Sequence, residues 1–317
     1  VARRLRVLIE SPKQPLQIDV EKAIEWVQGT NHIELAETQK QALRKAIGGK
    51  VLVLTGGPGT GKTTLVNSLV RILEKKGQRI VLASPTGRAA KRLSEVTGRE
   101  AKTIHRLLEF SPKEGGFKRN EDNPLDADLV VIDEASMVDI LLMNHLLKAI
   151  PPAATLLLVG DVDQLPSVGP GNVLKDVIAS GCVETVILTE IFRQAQESLI
   201  IVNAHRVNRG EFPQLKPQQG QRPDFYYIEK DTPEEVLGVI KELCVKRLPN
   251  AFHLSPLDDI QVMTPMHRGT VGVANLNAEL QSLLNPEGKV ITRGGRLFRM
   301  NDKVMQIKNN YEKDVFN

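Results

Sequence analysis

Short apolar runs alternate along this chain with polar turns and with stretches of helical period. Val51-Leu52-Val53-Leu54, Ile80-Val81-Leu82-Ala83, Leu129-Val130-Val131-Ile132 and residues 155–159 and 185–188 are runs of this kind. Short continuous runs predict strands buried on both faces. Between them the period becomes helical: Leu65, Leu69 and Ile72 share one side, and residues 88–96 and 142–150 read the same way. Strands alternating with helices predict an α/β fold, a parallel sheet covered by helices on both faces. Ligands of such a sheet gather at the carboxyl ends of its strands. The polar motifs of this chain all follow apolar runs.

The flanks are less regular. Residues 1–34 read as a peripheral helical segment, with Asp19 capping a helix that carries Val20, Ile24 and Val27 on one face and Trp26 nearby. A docking helix without chemistry fits it best. Residues 213–223 (Gln, Pro and Gly in excess) read as a loop, and Phe225-Tyr226-Tyr227-Ile228 and Ile260-Gln261-Val262-Met263 as strands. Thr232-Pro233-Glu234-Glu235 is a capping box that opens a helix burying Val236, Val239, Ile240 and Leu243. Residues 275–284 are helical. Within residues 109–126, Gly115-Gly116 flanked by Phe110 and Phe117 is a hairpin-turn signal. An ordinary charged surface loop is the alternative, and Lys118 and Arg119 favour a nucleic-acid contact.

Length and composition narrow the class. A chain of 317 residues has room for two domains with cores, and 41% hydrophobic with 25% charged residues is ordinary for a globular protein. No apolar run reaches a membrane-spanning length, and the start, with Arg3, Arg4 and Arg6, lacks the apolar centre of a signal peptide. A cytoplasmic protein without a membrane partner is expected. Cys182 and Cys244 have no metal-ligand spacing and are expected to pack as small apolar groups. The net charge of +4 permits a nucleic-acid partner without requiring one.

The chemistry centres on Gly56-Gly57-Pro58-Gly59-Thr60-Gly61-Lys62-Thr63, followed by Thr64. An apolar strand, this glycine loop and a helix, in that order, are the context of a phosphate loop. Its glycines turn backbone N–H groups toward phosphate oxygens, and the helix start adds its positive end. Lys62 is placed for the β- and γ-phosphates and the Thr63 hydroxyl for Mg²⁺. Asp133-Glu134-Ala135-Ser136 ends another strand. There Asp133 suits Mg²⁺ and Glu134 suits a water attacking the γ-phosphate. In Gly160-Asp161-Val162-Asp163-Gln164-Leu165-Pro166-Ser167, Gln164 is a candidate γ-phosphate sensor. Gln39 offers a donor and an acceptor to adenine, the alternative being a solvated helical glutamine.

Taken in order, Gln39, residues 56–64, Ser84-Pro85-Thr86-Gly87-Arg88, Thr103-Ile104-His105, Asp133-Glu134-Ala135-Ser136, residues 160–167 and Ile191-Phe192-Arg193-Gln194 resemble the motif series of superfamily 1 helicases, in its RecD-like branch. Thr264-Pro265-Met266-His267-Arg268-Gly269, Asp302-Lys303-Val304-Met305-Gln306 and Asn309-Asn310-Tyr311 extend the resemblance. It implies a P-loop RecA-like ATPase domain at 35–192 and a second, incomplete RecA-like domain at 193–317. It also implies a β-hairpin pin at 109–126, against which duplex DNA splits. The implied cofactors are ATP and Mg²⁺, contacted by Gln39, Gly57, Gly59, Thr60, Gly61, Lys62, Thr63 and Thr64, with Asp133 on the metal. Glu134 is then the base, Gln164 the coupler to the DNA track, and Arg193 an arginine finger, its alternative being a surface ion pair.

On the DNA side the resemblance implies that Pro85, Thr86, Arg88, Thr103, His105 and Ser167 grip a single strand. His267 and Arg268 would add contacts from the second domain. Such groups suit phosphates and bind without regard to sequence. Aromatic residues are only 4% of the chain, which argues against an extended base-stacking platform. His105 reads equally as a hydrogen-bonded histidine without a ligand. The expected function is an ATP-dependent DNA helicase or translocase on single strands and single/double-strand junctions. The resemblance implies 5′→3′ movement, which nothing in the residues themselves sets, in repair or recombination, with helicase–nuclease subunits as unidentified partners. A P-loop ATPase with no nucleic-acid track and a nucleotide- and DNA-binding fragment without turnover are the alternatives. The family's later motifs and its small inserted barrel are expected beyond residue 317, so an internal piece of a larger helicase is expected.

Overall fold

The computed structural model describes residues 1–13, 16–111 and 115–306. Pro112, Lys113 and Glu114 of the expected hairpin, the motif Asn309-Asn310-Tyr311, and the side chains of Arg193 and Gln194 lie outside the described residues. The chain divides into two units, residues 1–225 and 226–317.

Among its described residues the first unit has eight strands: β1 (Val51–Gly56), β2 (Ile80–Ser84), β3 (Ala101–Thr103), β4 (Phe110–Ser111), β5 (Gly116–Phe117), β6 (Leu129–Ile132), β7 (Thr155–Gly160) and β8 (Glu184–Leu188). Its helices are α1 (Ala2–Glu10), α2 (Val20–Asn31), α3 (Glu37–Gly48), α4 (Lys62–Glu74), α5 (Gly87–Thr97), α6 (Ile104–Leu107), α7 (Ile140–Ala149), α8 (Val173–Ala179), α9 (Arg193–Gln196) and α10 (Leu199–Asn208). Six strands form one sheet in the order β3-β2-β6-β7-β1-β8, every pairing parallel. The expected parallel sheet is therefore present. Every residue of β1, β6 and β7 is buried, as their unbroken apolar runs require. The edge strand β8 exposes Glu184 and Ile187.

Alternate residues of each strand serve opposite faces. Val53, Val130, Ile132, Leu156 and Leu158 face a core that includes Leu5 and Leu8 of α1 and Met143 and Leu146 of α7. Leu52, Leu54, Val131, Leu157 and Val159 face the other core, with Ile24, Leu43, Leu65, Leu69 and Leu93. The N-terminal segment thus docks through α1 on one face and α2 on the other. Side-chain caps set several helix starts: Asp19 accepts from the Lys22 N–H, Thr86 from Ala89, Thr103 from Arg106 and Asp139 from Leu142. A cap of this kind contributes about 1 kcal/mol.

The sequence placed a domain boundary at 193, whereas residues 193–225 cluster with the first unit. The cause is local. Helices α9 and α10 rest on the glycine loop, where Ala195 and Ile201 crowd Gly59. Of the two cysteines, Cys244 is buried as expected, but Cys182 is exposed in the turn after α8.

The second unit holds α11 (Pro233–Glu242), a π-helical turn (Leu243–Arg247), α12 (Leu248–Phe252) and α13 (Val273–Leu284). An antiparallel hairpin of β9 (Val290–Arg293) and β10 (Arg296–Arg299) follows. The Thr232–Glu235 capping box forms as read. Its helix does not bury the expected apolar face: Val236, Val239, Ile240 and Leu243 are only half-buried. Residues 225–228 and 260–263 are not strands. A strand exists only through its ladder, and no described neighbour pairs with either segment. Tyr226, Tyr227, Ile228 and Met263 consequently stay exposed.

Candidate functional site

The glycine loop joins β1 to α4 at the carboxyl edge of the sheet. Gly59 and Gly61 have φ of 77° and 80°, in the left-handed region that costs a side chain 1–2 kcal/mol by rough measure. Thr60 Oγ1 donates to Gly57 O at 2.9 Å and tightens the turn. Lys62 Nζ donates to Gly56 O at 2.5 Å and to Gly57 O at 2.9 Å, so its ammonium lies within the loop. Burial lowers its pKa, while Asp161, Glu134 and Asp133 pull the other way. Lys62 and three carboxylates thus share one electrostatic neighbourhood, although they come from three different strand ends.

Asp133 and Glu134 follow β6 directly. The Glu134 N–H donates to Asp133 Oδ1 at 3.0 Å. Glu134 itself sits at φ 53° and ψ 41°, a costly conformation for a residue other than glycine. Burial raises the pKa of both carboxyls, and for Glu134 the charge of Asp133 adds to it. Lys62 and Arg92 oppose these shifts, which sets Arg92 of α5 beside the same centre. Asp161, at the end of β7, is 3% exposed and accepts the Asp163 N–H at 3.0 Å. A Cβ at Gly160 would lie 2.8 Å from Leu174 Cδ2 and 3.1 Å from the Ser136 N, so the two acidic turns pack closely there.

The nucleotide-reading residues divide. Gln39 is 1% exposed, which corrects the solvated alternative. Its Nε2 donates to Thr60 O at 3.3 Å, and its Oε1 accepts the Ala36 N–H at 3.1 Å. Thr63 is half-buried at the start of α4, and Thr64 is exposed. Phe192, missed in the sequence, lies against Gly61, and its N–H donates to Gly59 O at 3.4 Å. His205 of α10 was missed as well; its Nε2 is 3.0 Å from Pro58 O, and its ring occupies the space a Gly57 side chain would need. The sequence carried no signal for either beyond an aromatic residue next to Arg193. The side chain of Arg193 lies outside the described residues.

The residues expected to grip a strand lie along the same edge. Pro85, Thr86 and Arg88 follow β2, Thr103 ends β3 with His105 after it, and Ser167 follows β7. Thr86 and Thr103 accept cap hydrogen bonds and keep their O–H donors for another partner. Arg88 and Gln164 are exposed. Ser167 Oγ donates to Gly169 O at 3.1 Å or Gly171 O at 3.0 Å. His105 packs on rings, 5.9 Å from Phe110 and 5.7 Å from Phe117. His267 and Arg268 are exposed on the second unit.

The donor set suits a metal-bound triphosphate. Mg²⁺ takes one or two protein oxygens and fills its shell with phosphates and waters. Thr63 and Asp133 offer such oxygens. Among the described residues, the Thr55, Ser84 and Ser136 hydroxyls are buried without a hydrogen-bond partner, at the carboxyl ends of β1 and β2 and beside Glu134.

Residues 39–170 match the family model of an AAA domain. Residues 276–317 match that of the ATP-dependent RecD-like DNA helicase SH3 domain. This second match corrects the expectation that the small barrel lies wholly beyond residue 317. The chain is 41% identical over 285 residues to the ATP-dependent RecD2 DNA helicase of Deinococcus radiodurans, covering 89% of this chain and 37% of that protein. It is 32% identical over 282 residues to the RecBCD enzyme subunit RecD of Mycolicibacterium smegmatis, covering 79% of this chain and 51% of the relative. The chain therefore spans about a third to a half of the length of these relatives. Among solved structures, a Bacteroides Pif1 helicase in complex with ADP-AlF3 and ssDNA is 17% identical with a TM-score of 0.48, covering 90% of this chain and 68% of the other. Sequence similarity and the ordered motifs agree: over most of its length the chain is similar to RecD-like DNA helicases.

Proposed function

We propose that this chain acts as the motor of an ATP-dependent DNA helicase. One observation carries the reading: Lys62, Asp133, Glu134 and Asp161 share one electrostatic neighbourhood beside the glycine loop, at the sheet edge that also bears the strand-gripping residues. The loop amides and Lys62 bind the phosphates of ATP, while Gln39 and the face of Phe192 bind its base. Thr63 and Asp133 hold Mg²⁺, which neutralises charge on the phosphates when bound. Glu134 orients water and takes its proton, a role served by burial that keeps its carboxyl basic. Arg193 completes the site as the arginine finger, and Gln164 couples it to the strand.

In this reading Pro85, Thr86, Arg88, Thr103, His105 and Ser167 hold single-stranded DNA, and His267 and Arg268 are candidate DNA contacts of the second unit. Residues 35–192 are the first RecA-like domain, and the second unit belongs to the next. The hairpin of β4 and β5 splits duplex at a single/double-strand junction. The proposal extends to 5′→3′ movement in repair or recombination, in the cytoplasm; likeness to an ATP-dependent RecD2 DNA helicase and to a RecBCD enzyme subunit supports the motor and makes helicase–nuclease subunits candidate partners.

Single-turnover hydrolysis tests the site. Glu134→Gln should retain ATP affinity and lose turnover by roughly a hundredfold or more. Lys62→Ala should lose both. Unchanged turnover in Glu134→Gln would remove that residue from the base role.

A further inference from the structure

The β4–β5 hairpin has two residues in each strand. An isolated two-stranded ribbon is marginal in water, so something must fix it. Its backbone contributes two bonds at the base, Lys118 N–H to Glu109 O at 3.4 Å and Arg119 N–H to Leu108 O at 3.2 Å. Side chains add to it: Arg119 Nε donates to Glu109 Oε1 at 2.7 Å, Asn123 Nδ2 to Lys118 O at 3.2 Å, and rings pack on both strands. Phe110 and Phe117 are cross-strand partners with centroids 5.1 Å apart. His105 of α6 packs on both, edge-on to Phe110. His145 of α7 packs on Phe117 at 4.7 Å and 44°. Separations of this size lie within the attractive range of aromatic pairs.

Helix α7 is also the element that follows the Asp133-Glu134 turn, after the short 3₁₀ segment Ala135–Met137. Its first turn carries the Ser167 loop: the Ile140 N–H donates to Pro170 O at 3.0 Å, and Asp139 fills the space beside Gly169. Its next turns present His145. One rigid rod therefore touches the acidic turn, a strand-gripping loop and the hairpin.

We infer that His145 is a positioning residue for strand separation: its ring, stacked on Phe117, fixes the hairpin to α7 and so to the helix that leaves the hydrolytic turn. The inference rests on the motor reading above, in which the hairpin splits duplex. His145 belongs to neither the glycine loop nor the acidic turn and meets the strand-gripping His105 only through the shared Phe117 ring, so its loss leaves hydrolysis intact and uncouples it from unwinding.

Hydrogen exchange and two activity assays on the full chain test this. In His145→Ala, amides of residues 117–119 should exchange roughly tenfold faster, the worth of an aromatic pair and its burial. Those of β1 and α4 should be unchanged. Fork unwinding should fall by roughly tenfold while oligo-dT-stimulated ATP hydrolysis stays within about twofold. His145→Phe, which restores a ring, should restore both protection and unwinding. Unchanged exchange at 117–119 overturns the inference, as does faster exchange spread into β1 and α4, or a loosened hairpin that unwinds as before. A parent chain whose hydrolysis ignores oligo-dT would defeat the motor reading instead, and the exchange data would still decide the His145 contact.

Discussion

Gly61 and Glu134 occupy left-handed backbone for opposite reasons. Gly61 is glycine because φ 80° starts α4 in the required direction, and a Cβ there would lie 2.5 Å from the Gln39 amide and 2.8 Å from Phe192. Gly61→Ala should lower the melting free energy by on the order of 1 kcal/mol or more and weaken ATP binding, read by thermal unfolding and nucleotide titration. Glu134 holds the same region at a cost, which fits a position kept for chemistry rather than stability. Glu134→Gly should therefore melt higher by about 1 kcal/mol while losing turnover. A lower melting point in Glu134→Gly would deny that the turn is strained.

At the level of elements, the clearest signals were those fixed by local burial. The runs in β1, β6 and β7 read as strands because each of their residues is enclosed, and no polar alternation confuses them. Ala101-Lys102-Thr103 offered no such run and became β3 only by pairing with Leu82, Ala83 and Ser84. Residues 225–228 and 260–263 erred the other way, because β-prone side chains need a neighbouring strand that local sequence does not supply. Site residues followed the same division. The glycine loop and Asp133-Glu134 are contiguous and were legible. Asp161, Arg92, Phe192 and His205 join them through topology alone.

The hairpin anchor predicts a pH dependence. Burial holds His105 and His145 below the ordinary histidine value of 6.5, with Asp139 opposing this at His105 and Lys148 reinforcing it at His145. The folded chain then keeps both rings neutral where the unfolded chain begins to protonate. Their contribution is full above 6.5 and declines as pH falls below it toward the folded values. The melting temperature should drop between about pH 7.5 and about pH 5.5, and by less in His145→Phe. An equal drop in both proteins would show that His145 does not titrate with folding.

Across the molecule, a parallel sheet with one ligand-bearing edge brings the phosphate loop, the acidic turns and the residues proposed to grip DNA onto the same side. The second unit, described by itself, buries little: Cys244 and Leu276 are its only buried hydrophobic residues among those described. Backbone-directed binding by residues such as Arg88 predicts that affinity for oligo-dT falls steeply with salt and is indifferent to base sequence.

The central claim is that nucleotide hydrolysis and the DNA edge are one device. Its most direct test is the single-turnover rate of ATP hydrolysis by this chain with and without oligo-dT. The account predicts a rate raised roughly tenfold or more by the oligonucleotide, and abolished in Lys62→Ala under both conditions. A rate that is the same with and without the strand would contradict it.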